Sequence, residues 1–250
     1  MKNQYFGDIR DLFKYDIIQR ILKGISSLQR FTFIPMLTKN DPNSREGNER
    51  AFDRAKKNGR PGTKNNELMK ILEKYKEMDE NERDFTEIKG YFKSEGIGTV
   101  IYKEHECFKR RTRDEYFKNT PEEFLHKSLV FVDPDIGLQI KNSTEKHLLY
   151  QEVKDLYDRM DKDSILMIYQ HFPRARLKYT EYLPEGRSNT LEKKIGDFPI
   201  YISDNEIIFF LLTKNDELKS QLEKIINRYR RDYPDRCKGS AILIPSVATS

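Results

Sequence analysis

SLVFVDPDIGL, residues 128–138, is the stretch on which the fold turns. Its first five residues are a continuous apolar run of strand length. A strand that is apolar on both sides is covered on both faces, which is the situation inside a parallel sheet. The run stops at Asp133-Pro134-Asp135-Ile136-Gly137. Pro134 locks the turn, and Gly137 permits a close backbone approach. Asp133 and Asp135 therefore sit on a rigid loop. Two carboxylates there can hydrogen-bond an exocyclic amine, accept a proton or hold a divalent cation. The plainer role is that Asp133 caps the turn.

The pattern recurs at residues 164–174, SILMIYQHFPR. Another apolar run ends in polar residues, Gln170, His171 and Arg174. His171 offers a general base or an orienting group, and Arg174 offers a grip on phosphate. Residues 144–160, between the two runs, have helical periodicity. A strand–helix–strand order predicts that 128–132 and 164–169 are adjacent and parallel. In an open α/β sheet, ligands bind outside the carboxyl ends of the strands. Asp133, Asp135 and His171 are thus expected in one cleft, with Asp8 and Lys14 at its rim and the Asp133 carboxylate exposed.

Moving outward, residues 8–23 read as a helix stopped by Gly24, and FTFIPML (31–37) as a strand. Residues 38–64 are polar and almost free of aliphatic side chains, with a short helix expected at 51–57. Helices follow at 65–77 and 84–92, a strand at 98–102, and helical segments across 113–127. The tail offers strands FPIYIS (198–203) and EIIFFLL (206–212), a helix at 216–231 and a last strand at 241–245. The whole predicts one α/β domain over residues 1–250. Its sheet is mostly parallel with helices on both faces and an antiparallel strand near the C-terminal end. A basic loop and helical excursion occupies about 38–95.

Composition narrows the class. Charged residues reach 35% and hydrophobic residues 36%, yet 12% aromatics supply bulk for a core, which excludes wholesale disorder. Two cysteines, Cys107 and Cys237, exclude a disulfide scaffold and a four-cysteine zinc site, and no metal site is assigned by spacing. No apolar run has membrane-spanning length and the N-terminus lacks a signal-peptide core, so a cytoplasmic location is expected. The net charge of +5 permits nucleic acid as a partner. Basic residues cluster at 45–60, 109–113 and 228–231. Arg110 and Arg111 are the candidates to track a phosphate backbone. No oligomeric state is assigned.

In GDIRDLFKYDII (7–18), Asp8, Asp11 and Lys14 recur every three residues and share a helical face. Together with LVFVDPDIGLQ and ILMIYQHFPR, this start resembles a family of uncharacterised prokaryotic proteins with GDxxDxxKY, DPDxGL and QHFPR motifs. At one remove the layout is similar to Rossmann-fold, class I adenine-N6 methyltransferases of ribosomal RNA. By that resemblance, Asp8, Asp11 and Lys14 lie near an S-adenosylmethionine (SAM) pocket. Asp133 and Pro134 match the first half of a DPPY motif that holds the target amine. Asp135 stands where that motif has a second proline, and Ile136 where it has an aromatic residue that stacks on a flipped base. The turn after the first strand, MLTKNDPN, has no glycine.

The expected function is a SAM-dependent methyltransferase-like protein acting on nucleic acid. Asp133, Asp135 and His171 are the catalytic candidates. Asp8, Asp11 and Lys14 are assigned to the cofactor, and Gln170, Arg174, Arg110 and Arg111 to the substrate. One alternative is a metal-dependent nuclease or other phosphodiester enzyme with Mg²⁺ on Asp133 and Asp135. Another is a non-catalytic nucleic-acid-binding or defence-associated module that keeps the fold.

Overall fold

The computed structural model describes residues 1–41, 49–172 and 180–239. The strands are β1 (Arg30–Pro35), β2 (Thr99–Ile101), β3 (Ser128–Asp133), β4 (Gly137–Leu138), β5 (His147–Leu148), β6 (Ile165–His171), β7 (Ile200–Ser203), β8 (Ile207–Leu212) and β9 (Lys238–Gly239). Seven of them form one mixed sheet in the order β2-β1-β3-β6-β8-β7-β9, and β4 and β5 pair separately. From β2 to β6 all neighbours are parallel. β3 and β6 are adjacent as expected, with Val130 opposite Leu166. From β6 to β9 every pairing is antiparallel. The antiparallel share is larger than expected because β7 and β8 are joined by a three-residue turn, and so short a link permits only a hairpin. Asp204 fixes that turn by accepting the Glu206 and Ile207 N–H groups. The expected strand at 241–245 lies outside the described residues.

The helices are α1 (Ile9–Gly24), α2 (Phe52–Lys57), α3 (Asn66–Glu73), α4 (Ile88–Ser94), α5 (Arg113–Lys118), α6 (Tyr150–Arg159), α7 (Pro184–Ile195) and α8 (Asp216–Asp232). The sheet separates two cores. On one face α1, α3, α4 and α8 pack against Phe31, Phe33, Phe131 and Phe209. On the other, α5, α6 and α7 pack against Val130, Val132, Ile168 and Phe210. Every described strand residue from Phe31 to Pro35 and from Ser128 to Asp133 is buried, which is why the sequence shows apolar runs rather than alternation.

α1 begins where the Asp8 carboxylate accepts the Arg10 N–H, and it buries Leu12, Phe13, Ile17, Ile18 and Ile21. The excursion at 38–95 is not a solvated appendage, since Phe52, Leu68, Leu72, Phe85, Ile88 and Phe92 enter the α1-side core. Two helical expectations change. Residues 144–149 form a turn and β5, so the helix begins only at Tyr150. The 113–127 segment shortens to α5 and one further turn at Glu122–Leu125. α7 is unannounced by its apolar pattern, but it carries Pro184 at its start and a left-handed Gly196 at its end. Among the described residues, no helix is long and apolar enough to cross a membrane.

Candidate functional site

β1 lies between β2 and β3, so the chain reverses its direction across the sheet there. The crevice beyond the carboxyl ends of β1 and β3 is the switch point at which such sheets bind ligands. Strand alternation then sorts the side chains. Asp133, Tyr169 and His171 continue the positions of Leu129, Phe131, Ile165 and Met167, which face α1, whereas Gln170 continues Leu166 and Ile168 on the opposite face.

α1 brings Asp8, Asp11 and Lys14 to the same place. The Lys14 Nζ donates to Asp133 Oδ2 at 2.9 Å and pairs with Asp11 Oδ1 at 2.9 Å. The Gly7 N–H holds the other Asp11 oxygen at 2.9 Å. Tyr15 and Tyr169 flank the ammonium, with ring centroids 5.4 and 5.3 Å away. The cluster lies under the edge and not at its rim: Asp133, Asp11 and Lys14 are 2%, 4% and 7% exposed. The expectation of an exposed Asp133 carboxylate is therefore corrected. The reason is the counter-charge: a buried carboxylate is sustained by a buried ammonium hydrogen-bonded to it. Burial would lower the Lys14 pKa, but Asp11 and Asp133 outweigh it and hold the amine charged well above the ordinary lysine range.

Asp8, beside this group, is pushed up to about 7 by burial and by the neighbouring Asp11 carboxylate. It pairs with Arg10 at 3.1 Å. Arg10 reaches Glu206 at 2.8 Å, and Arg60 reaches the same carboxylate at 2.5 Å. Despite burial, these two guanidinium groups keep Glu206 below its ordinary pKa. An ion-pair chain thus ties α1 to the β7–β8 turn.

Asp135 has different partners. It accepts from the Thr38 hydroxyl at 3.2 Å and lies 3.5 Å from the Met1 amino group and 3.8 Å from Lys146. Burial opposes ionisation, but the cations around it (Met1, Lys2 and Lys146) hold it below the usual carboxylate range. His171 lies within electrostatic reach of both Asp133 and Asp135. Its Nε2 is 3.3 Å from the Tyr169 hydroxyl, and its backbone N–H donates to the Ile136 carbonyl at 3.0 Å. Burial, and Arg10 next, lower its pKa to about 4, so the imidazole is neutral.

The Gln170 amide is committed to the protein's own backbone. Its amide oxygen accepts the Leu138 N–H at 2.8 Å, and its nitrogen donates to the His171 carbonyl at 2.7 Å. It clamps the loop after β3, where Gly137 has φ +139° and a Cβ would fall 2.4 Å from the Gln170 amide. Arg110 and Arg111 are exposed beside the β1 end, where the Phe108 N–H donates to the Leu37 carbonyl at 2.7 Å. Arg113 of the same cluster turns inward to Glu152 and the His147 carbonyl. Arg174 lies outside the described residues, as does the start of the 45–60 cluster. Tyr169 and the Arg10–Glu206–Arg60 chain escaped the sequence reading. Tyr169 had a signal, since it stands two residues before His171 on a strand and so shares its face.

SAM does not fit this arrangement. The backbone beyond β1 is engaged by the chain itself. Met36 N–H donates to the Asp133 carbonyl, Thr38 N–H to the Met1 carbonyl, and the Leu37 carbonyl accepts from Phe108. Met36 and Leu37 side chains are buried there. A cofactor cradle needs free amides on a glycine turn, and Asp8, Asp11 and Lys14 are bonded to groups of the protein. Nor does Mg²⁺ fit: Asp133 is held by Lys14 and Asp135 by other partners. Among the described residues, no three His, Cys, Asp or Glu side chains converge as metal ligands. The chain matches no protein-family model and no curated protein.

Proposed function

We propose that the protein is a nucleic-acid-binding module with a Rossmann-like, class I methyltransferase-like fold, in which the cofactor crevice has become a structural ion-pair cluster. The resemblance to the prokaryotic family with GDxxDxxKY, DPDxGL and QHFPR motifs supplies the lineage in this reading. The observation that carries it is the buried Lys14 bridge between Asp11 and Asp133 beside a β1 end whose Met36 and Thr38 amides are engaged by the protein's own carbonyls. These groups hold the edge of the sheet together. Nucleic acid enters through the rim above them, where Lys39, Lys109, Arg110, Arg111 and Lys141 are exposed. Such a rim tracks phosphates without reading sequence.

A second reading, a SAM-dependent methyltransferase acting on nucleic acid, is favoured by one observation. The GDIRDLFK helix, the DPD loop and the Gln170-His171 strand end meet at the switch point, as the resemblance implies. One experiment separates the two: calorimetry and thermal shift with SAM, S-adenosylhomocysteine, Mg²⁺ and Mn²⁺, alongside anisotropy with a labelled oligonucleotide. The expected result is no heat or shift with any small ligand, and oligonucleotide binding that weakens steeply with salt. Saturable binding of SAM overturns the module in favour of the methyltransferase. Metal binding alone points to the phosphodiester enzyme.

A further inference from the structure

A second polar feature lies away from the strand ends, on the outside of the α1–α8 layer. The loop between α2 and α3 meets the segment after α8, and between them is a cavity of about 450 Å³. Its walls include Lys56, Thr63, Lys64, Asp232, Tyr233 and Arg236. Segments about 170 residues apart are joined here by specific contacts. Lys64 N–H donates to the Tyr233 hydroxyl at 3.1 Å, the Lys64 ammonium lies 5.3 Å from the Tyr233 ring, and Arg236 Nε donates to the Asn58 carbonyl at 3.1 Å. The floor is rigid. Gly62 has φ +86°, and a Cβ on it would fall 2.3 Å from the Leu12 carbonyl of α1.

Charge at this cavity is unbalanced. Asp232 is committed to Arg20 at 2.5 Å. Among the described residues, Lys56, Lys64 and Arg236 have no carboxylate at ion-pair distance. The flanks extend the same sign: Arg54 and Lys57 are exposed on α2, Arg228 and Arg231 on α8, and Lys238 beyond it. Against them stand the exposed acids Asp53 on α2 and Asp235, which lines the cavity itself. Two basic clusters that are far apart in the sequence thus form one strip with a cleft in it. The exposed large hydrophobic residues among those described are Ile136 and Phe198, neither of them at this strip. A membrane-binding surface combines cations with apolar residues that enter the lipid. A bare cationic strip matches a polyanion whose charges repeat along a line.

We propose that this cleft and its flanks are a second docking surface for the phosphodiester backbone of nucleic acid. The cavity takes one phosphate, and the cations of α2 and α8 take its neighbours. The inference rests on the nucleic-acid reading above and adds a site to it.

The test is fluorescence anisotropy of a labelled oligonucleotide with the full chain, across a salt series, for four proteins. They are the unsubstituted chain, Lys64→Glu with Arg236→Glu, Lys57→Glu with Arg231→Glu, and the rim variant Arg110→Glu with Arg111→Glu. Melting temperatures check the fold, and among the described residues the exposed Lys57 and Arg231 side chains make no hydrogen bond or ion pair. Both cleft-side variants are expected to bind about tenfold more weakly, with a log Kd against log salt slope reduced by about one for each phosphate that is no longer neutralised. Unchanged affinity in both overturns the inference. If the rim variant alone loses affinity, the second surface is wrong and the strand-end rim stands. Weaker binding by the cleft-side variants with an unaffected rim variant supports the second surface and removes the rim. Polyglutamate competing as well as the oligonucleotide overturns the assignment of the partner.

Discussion

The strand-end cluster and the α2–α8 cleft use the same residue types to opposite effect. At the strand ends each charged group has a counter-charge and little water: Lys14 lies between Asp11 and Asp133, and Arg10 and Arg60 share Glu206. At the cleft, Lys56, Lys64 and Arg236 are exposed, and among the described residues none of them has a carboxylate at ion-pair distance. Burial makes the difference. A desolvated charge is a structural commitment that must be matched at once, whereas a solvated one is free to meet a partner later.

Lys14→Met should break the comparison most forcefully. It leaves two buried carboxylates without their ammonium, and the expected loss is about 3–5 kcal/mol in denaturant unfolding. A loss below about 1 kcal/mol would show that the cluster is as solvated as the cleft.

Gly137→Ala should follow. It places a methyl at φ +139° against the Gln170 amide, and about 1–3 kcal/mol should be lost. Melting temperature checks this. Retention of the wild-type value would mean that the loop after β3 is not clamped.

The pH dependence is smaller because two slopes oppose each other. Asp8 rises from 3.8 to about 7 on folding, so the folded state binds its proton more tightly and stability falls as pH climbs from about 4 to 7. His171 falls from 6.5 to about 4, so the unfolded state binds the proton more tightly and stability rises across that same window up to 6.5. Denaturation midpoints between these limits should change little in the unsubstituted chain. They should rise with pH in Asp8→Asn and fall with pH in His171→Gln. Parallel profiles in the two variants would refute the opposed pair.

The smallest effect on stability belongs to Arg110→Glu with Arg111→Glu. These exposed side chains should change unfolding by no more than about 0.5 kcal/mol, while weakening oligonucleotide binding. A large drop in melting temperature would place them among the structural charges.

Much of the sheet was legible from local pattern. SLVFV and SILMIY are apolar on both faces, which only a covered strand requires, and they do pair in parallel. α1 showed its buried stripe and its Asp8 cap. α7 was not legible, because in PEGRSNTLEKKI only Leu191 and Ile195 enter the core at helical spacing. β4 and β5 have two residues each, too few for any period. At the candidate site, the spacing of Asp8, Asp11 and Lys14 announced a common face. Their depth was not announced, because whether a carboxylate is solvated depends on what packs above it. The meeting of residues 56–64 with 232–236 likewise depends on tertiary packing alone.

The Lys14–Asp133 bond also sets an order of events for the growing chain. Its ends are 119 residues apart, and β1 cannot pair with β3 until residue 128 or later has been made. Contacts that close such long loops form late, after local ones. The β7–β8 hairpin, closed over three residues, is at the other extreme. During synthesis Lys14 has only Asp11 of its own helix as a counter-charge, and its second partner arrives with Asp133. The parallel half is completed only later, when β6 pairs with β3, and a chain halted before residue 133 could not form the Lys14–Asp133 latch.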